Sequence, residues 1–231
     1  MGDFIINLSK IMRAEVDALN SIAQNSANVN TAGYKSIRSS TMDTSFATSL
    51  NGGTIPTVST KVNVEHGKVN ITDRSLDFAI MGDGWFGVQH KGGVKLTRNG
   101  NFKLNSENIL TTQGGDPVLS STGVIVLSSD SIQVDSNGML ATAEGEQFQL
   151  AIYKTGSAGV SPAGDSLYSS KTLHLAESSF RVLQGALENS NVDSAADMVR
   201  LMEVTRHIES MQRAINTYNE LLTAGINEIG K

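Results

Sequence analysis

The strongest constraint in this chain lies in its last forty or so residues, Asn191 to Lys231. Leu201, Ile208, Ile215, Leu222 and Ile229 recur at intervals of seven, and Val204, Met211 and Tyr218 follow the first three by three residues. With polar residues between its members this is an a/d heptad seam, the pattern of a helix that requires a partner helix. Gly225 occupies the next d position, where the missing side chain permits close backbone approach or fraying. Asp193 is placed to cap the helix, and Asp197 falls in its first turn, where the helix dipole favours negative charge. No proline follows Pro162, so the predicted helix runs uninterrupted from about Ser194 to Ile229. At ~1.5 Å per residue it is roughly 54 Å long, whereas a compact globule of this chain length has a radius of gyration of roughly 17 Å. Such a helix gains most of its stability from packing. It must bury its seam against the other end of its own chain or against neighbouring copies.

The other end supplies a candidate. Ile5, Leu8, Met12, Val16, Leu19, Ala23 and Ala27 are spaced by three and four between Phe4 and about Asn28, with Ser9, Lys10, Arg13, Asp17 and Asn20 off that face. An ordinary core helix carries the same pattern, but here it stands at both termini and not between them. Asn28-Val29-Asn30-Thr31-Ala32-Gly33-Tyr34-Lys35 then stops the helix, with Gly33 suited to a left-handed cap. Residues 36–60, rich in Ser, Thr, Gly and Asn, read equally as an extended arm or a disordered linker.

From Lys61 the pattern changes to short strands. Alternation of period two marks 61–64, 68–71, 78–80 and 85–88, and further strands are expected at 94–97, 101–104, 124–127, 131–134 and 147–154. Gly92-Gly93, Asn99-Gly100, Gly114-Gly115 and Asp135-Ser136-Asn137-Gly138 supply the turns. The expected fold is therefore a mainly β central domain, sandwich or barrel-like, flanked by long N- and C-terminal α-helices that form a coiled-coil-type assembly region. The expected division is an N-terminal assembly helix over 1–35, an extended arm over 36–60, the β domain over 61–180 and the C-terminal assembly helix over 181–231.

Composition and motifs exclude several functions. A net charge of −5 and scattered Lys and Arg argue against nucleic acid as a partner. The absence of cysteine rules out disulfides and thiolate metal sites. No stretch approaches the ~20 apolar residues of a membrane span, and Asp3 stands where a secretory signal would be basic. Gly82-Asp83-Gly84-Trp85-Phe86-Gly87 spells the dinucleotide fingerprint, yet a strand follows it in place of the required helix, so a hairpin turn is expected. Asp135-Ser136-Asn137-Gly138 begins like a calcium loop without the later acidic ligands. His66, His90, His174 and His207 are dispersed, and no nucleophile–base set is suggested. No catalytic residue, cofactor, metal or small-molecule substrate is expected.

Four stretches resemble the bacterial flagellar rod and hook axial family. The Asn28 to Lys35 run, extended back to Ala27, resembles the signature ending its N-terminal helix. Leu76 to Val88 resembles the entry to its β domain, Leu96-Thr97-Arg98-Asn99-Gly100-Asn101-Phe102 the hairpin that follows, and Gln184 to Asp193 the lead into its C-terminal helix. Ser26 departs from the aliphatic residue usual there. Chain length, the Asp-Gly-Trp-Phe run and Thr-Arg-Asn-Gly-Asn-Phe favour the proximal-rod F-type branch over the longer distal-rod and hook branches.

The resemblance implies a structural subunit that stacks helically in the basal-body rod across the periplasm, in contact with copies of itself and other rod subunits. It also implies unfolded export through the flagellar type III apparatus without a cleaved signal, with Phe4 and Leu8 as a possible export motif. Asn28, Asn30, Gly33, Tyr34, Ser190, Asn191, Val192 and Asp193 are the family-motif positions. The expected assembly interface is Ile5, Leu8, Met12, Val16 and Leu19 with Leu201, Val204, Ile208, Met211, Ile215, Tyr218 and Leu222. An oligomeric extracellular binding or adhesin-like module with a coiled-coil stalk is the alternative.

Overall fold

A computed structural model describes residues 2–41, 58–129, 132–156, 159–176 and 179–229. The middle of the expected arm, 42–57, lies outside the described residues. The chain divides into two compact units: one formed by Met1–Ala27, Ile37–Lys61 and Asp193–Lys231, the other by Asn28–Ser36 and Val62–Val192.

The first unit holds two helices, α1 (Gly2–Ala27) and α2 (Ser194–Ile229). The extent of α2 is that read from its heptads and cap. Its cap is formed by Asp193, whose Oδ1 accepts hydrogen bonds from the N–H groups of Ala195 and Ala196 at 3.1 Å. The helices lie antiparallel: Ala18 and Ile22 pack with Val204, Leu19, Leu201 and Ile208, and His207 of α2 stands 3.4 Å from Glu15 of α1. Strands Ile37–Thr41 and Val58–Val62 form a two-stranded sheet. Asn25, in the last turn of α1, is buried and clamps Ile37 from both sides, donating to its carbonyl at 3.0 Å and accepting from its N–H at 2.8 Å.

The second unit is β. Its largest sheet is antiparallel and six-stranded, in the order Ser161–Gly164, Leu167–Ser169, Gly93–Thr97, Trp85–His90, Ile152–Thr155, Leu173–Leu175. Ile132–Val134, Met139–Thr142 and Gln147–Gln149 form a three-stranded sheet, and Phe78–Gly82 pairs with Phe180–Gln184. The core centres on Phe78, Phe86, Phe102, Leu110, Leu140 and Val182, with Phe86 edge-on to Phe102 at 5.2 Å. Successive residues of a strand face opposite sides, so Phe86 enters this core while Trp85 joins Leu96 and Tyr168 in a second cluster. The Gly82 to Gly87 run is a turn and the start of a strand, but the expected hairpin does not form: Phe78–Gly82 pairs with Phe180–Gln184, whereas Trp85–His90 enters the six-stranded sheet. Asp135 to Gly138 is a tight turn, with Oδ1 of Asp135 accepting from the N–H groups of Asn137 and Met139.

The expected fold class needs correction on two counts. First, the β region is neither a sandwich of two sheets nor a closed barrel: the described strands form one open six-stranded sheet, one of three strands and several two-stranded ribbons. Turn residues every few positions keep its strands two to six residues long, too short to continue from sheet to sheet. The single strand expected over 147–154 breaks at the buried pair Leu150 and Ala151, and its halves enter different sheets.

Second, the flanks are one helix each, 27% of the chain, and are a coiled coil only in part. Of the α2 seam, Val204 and Met211 are buried; Leu201, Ile208, Ile215 and Tyr218 are half-buried, and Leu222 is exposed. On α1 the buried apolar positions are Leu8, Ala14, Ala18 and Ile22, while Val16, expected on the interface, is 42% exposed. The last three repeat every four residues, the ridge spacing of ordinary helix packing and not the alternating three and four of a heptad seam.

Candidate functional site

The motif that ends α1 and the motif that leads to α2 lie about 150 residues apart in sequence, yet they meet in the β unit. Gly33 has φ +67°, and a Cβ there would fall 2.2 Å from the backbone of Arg98 and Asn99. Only glycine supplies both that left-handed conformation and that close approach. Its N–H donates to the Glu188 carbonyl at 2.7 Å. Asn191 completes the clasp: its N–H donates to the Tyr34 carbonyl at 3.3 Å, its Oδ1 accepts from the Ser36 N–H at 2.7 Å, and its Nδ2 donates to the carbonyls of Asn63 and Glu65 at 2.9 and 2.8 Å. One asparagine thus satisfies four backbone groups on two separate segments, 34–36 and 63–65.

Beneath the clasp lies a buried ion cluster. Lys35 is 0% exposed, and its Nζ donates to Glu188 Oε1 and to the Glu65 carbonyl, both at 2.6 Å. Arg98 donates to Glu188 Oε2 at 3.2 Å and to the carbonyls of Ile80 and Gly82 at 2.9 and 2.7 Å. Its guanidinium also lies 5.6 Å from the Trp85 ring, within cation–π range. The Gly67 N–H donates to Glu188 Oε1 at 2.9 Å, and the Tyr168 hydroxyl accepts from the Lys35 N–H at 2.7 Å. Burial pushes the Lys35 ammonium below its ordinary value, and the Glu188 carboxylate opposes that shift. Burial likewise lowers Arg98 against the same carboxylate and raises the Tyr168 phenol. A buried ion pair adds little net stability over an apolar pair, but loss of one partner strands a charge. The cluster therefore enforces one geometry.

The family-motif positions fare differently. Gly33, Tyr34 and Asn191 belong to the clasp, Asn28 closes a turn by accepting from the Thr31 N–H and hydroxyl, and Ser190 Oγ accepts from the Val192 N–H. Asp193 is the cap of α2, whereas Asn30 is simply exposed. Sequence reasoning missed Arg98, Tyr168 and Glu188 as members of the site. A usable signal exists for Glu188: in the strand Ala186–Glu188 it shares the inward phase of buried Ala186, and a carboxylate there requires cationic partners. The structure also pairs His90 with Asp116 at 2.8 Å, a contact between residues that no local spacing connects.

The helical unit has a different surface. Beyond its buried strip, α2 exposes Met198, Val199 and Met202 near its start and Leu221 near its end, and α1 exposes Ile6 and Val16. Side chains of Phe4 and Ile5 lie outside the described residues. No described helix is long and apolar enough to cross a membrane. Among the described residues no group of three His, Asp or Glu side chains is arranged to hold a metal.

Comparison with known proteins shows what this chain is similar to. Residues 79–142 match the family described as flagellar hook protein FlgE/F/G D1 domain, and residues 183–228 match flagellar basal body rod FlgEFG protein C-terminal. The flagellar basal-body rod protein FlgF of Caulobacter vibrioides is 29% identical over 98% of this chain and 97% of its own length. FlgG of Buchnera aphidicola subsp. Schizaphis graminum is 28% identical over 88% of this chain and 91% of its own, and FlgG of Bacillus subtilis 29% over 90% and 92%. With both matched segments and the terminal helices present in the expected order, the chain is similar to flagellar basal-body rod and hook proteins over nearly its whole length.

Proposed function

We propose that this chain is a structural subunit of the flagellar basal-body rod that polymerises helically through its terminal helices. The observation that carries the reading is the helical unit, whose two helices cover each other on one strip and leave large apolar side chains exposed beyond it. Such surfaces are stabilised when further copies or other rod subunits cover them. The proposed contact residues are Leu8, Met12, Val16, Leu19, Leu201, Val204, Ile208, Met211, Ile215, Tyr218 and Leu222, with Ile5. Val204 and Met211 act by holding the helix pair, Val16 and Leu222 by direct contact. The F-type, proximal assignment is supported by the FlgF relative that matches nearly the full length of both chains. A scaffold of this kind performs no chemistry.

Periplasmic placement and export through the type III apparatus without a cleaved signal complete the proposal. Leu8 is only 2% exposed, so an export gate could read a Phe4/Leu8 motif only on a chain whose helices have not yet paired. The test is isolation of basal bodies from cells carrying a tagged chain, alongside deletion of its gene. The tag should co-purify with the rod, and deletion should abolish motility and truncate the basal body before the hook. A tag absent from basal bodies, with motility intact in the deletion, would overturn the reading.

A further inference from the structure

Lys35 and Glu188 are placed for chemistry as well as for attraction. Lys35 is the only buried lysine among the described residues, and Glu188 is 1% exposed. Nζ lies 2.6 Å from Oε1, which keeps it roughly 3.5 Å from the carboxyl carbon, the separation of a near-attack pair. Nζ also donates to the Glu65 carbonyl at 2.6 Å, so an amine that has passed one proton to Oε1 stays anchored with its lone pair on the Glu188 side. Burial, the largest influence on Lys35, favours that neutral amine, and Arg98 acts in the same direction. The second carboxylate oxygen, Oε2, accepts from Arg98 Nη1 at 3.2 Å. A fixed cation therefore stands where negative charge collects when the carbon is attacked. The Gly67 N–H holds Oε1 at 2.9 Å.

We propose that Lys35 and Glu188 condense, once the chain has folded, into an intramolecular isopeptide bond that locks the clasp. A proton passes from Nζ to Oε1. The amine lone pair then attacks Cδ, forming the N–C bond and moving the carbonyl electron pair onto Oε2 beside Arg98. Oε1 takes a second proton from Nζ and leaves as water, while the electron pair on Oε2 restores the C=O. An ammonium and a carboxylate become one amide and one water, with no oxidant or co-reactant, and the buried charges of Lys35, Arg98 and Glu188 fall from three to one. The bond ties the motif after α1 to the motif before α2 across 153 positions of sequence. A chain without cysteine cannot make such a staple as a disulfide. The reaction turns over once, on the chain itself, and does not depend on the rod reading.

The test uses the full-length wild-type chain, shown to be folded by a cooperative unfolding transition of Trp85 fluorescence, then held at neutral pH and sampled over time by intact mass and tryptic mapping. The mass should fall by one water. Cleavage after Lys35 should cease, and residues 14–38 should appear joined to residues 182–200, which carry Glu188. Glu188→Ala, mapped in the same way, should keep its full mass and be cut after Lys35. Should that variant not fold, fragmentation of the joined wild-type peptides identifies the two linked residues without it. A folded wild-type chain that keeps its full mass and is cut after Lys35 at every time overturns the bond and leaves the ion pair and the rod reading standing. Loss of a water from Glu188→Ala as well, or from a wild-type chain still cut after Lys35, overturns the assignment to these two residues.

Discussion

Around Glu188, in the β unit, a buried carboxylate holds Lys35 and Arg98 while its backbone carbonyl holds Gly33. Around Val204, in the helical unit, the contacts are Ala18 and Ile22 with half-buried Leu19, Leu201 and Ile208. The first region is directional: hydrogen bonds and ion pairs at 2.6 to 3.2 Å fail if a partner moves by an ångström or two. The second is non-directional, since burial of apolar surface rewards whichever surface arrives. A chain that must keep one internal geometry while exchanging outer surfaces gains from having both. The contrast also explains the glycines, because Gly33 and Gly100 sit where a Cβ would strike backbone, whereas one added at Gly225 of α2 would meet nothing.

The contrast can be broken from either side. The largest effect is expected for Glu188→Ala, which leaves Lys35 and Arg98 buried without a counter-charge and should cost about 3–5 kcal/mol. Denaturant unfolding followed by Trp85 fluorescence measures it; a loss under 1 kcal/mol would mean that the cluster does not hold the clasp. Val204→Asp should cost roughly 3 kcal/mol of helix-pair stability by placing a charge in an apolar strip. Helical circular dichroism should fall while the Trp85 transition stays in place, and a simultaneous loss of both would show the regions to be less separate than their contacts suggest. Asp193→Ala removes the cap of α2 and should cost about 1 kcal/mol, seen as faster amide exchange confined to residues 194–197.

The smallest effect concerns pH. Burial, then Arg98, lowers the His66 imidazole from its ordinary value of 6.5, and Lys35 acts the same way, while Glu188 and Asp83 oppose. The unfolded chain therefore takes up the proton first as pH falls through 6.5, so stability declines on acidification and levels off below the folded value. His66 is 46% exposed, so solvent screens the effect. The melting temperature of the wild type should drop slightly more between pH 7.5 and 5.5 than that of His66→Gln. Equal drops would remove His66 from the balance.

Much of this was legible residue by residue. The seam and Asp193 marked α2 from Ser194 to Ile229, and alternation placed the strands around Trp85 and Val94, because helix periodicity, capping and turn chemistry act over a few residues. Val16 shares the apolar spacing of α1 yet is exposed, because spacing by three and four reports that a helix has an apolar face without reporting how wide the facing partner is. The small residue Ala18, unremarkable in sequence, packs with Val204 in the helix pair.

The sequence by itself determined where the helices run, where the chain turns and which four stretches resemble the family's motifs, all of them properties set by neighbours along the chain. Only the tertiary structure decided that α2 finds its partner in α1 of the same chain, that the partners lie antiparallel, and that Lys35 meets Glu188 and Arg98. The physical reason is range. A buried lysine needs a carboxylate, but nothing in the local pattern of Tyr34-Lys35-Ser36 says which of 23 acidic residues will be brought to it. That choice falls to the packing of the β core, which carries Glu188 on its strand into Nζ range across 153 positions of sequence.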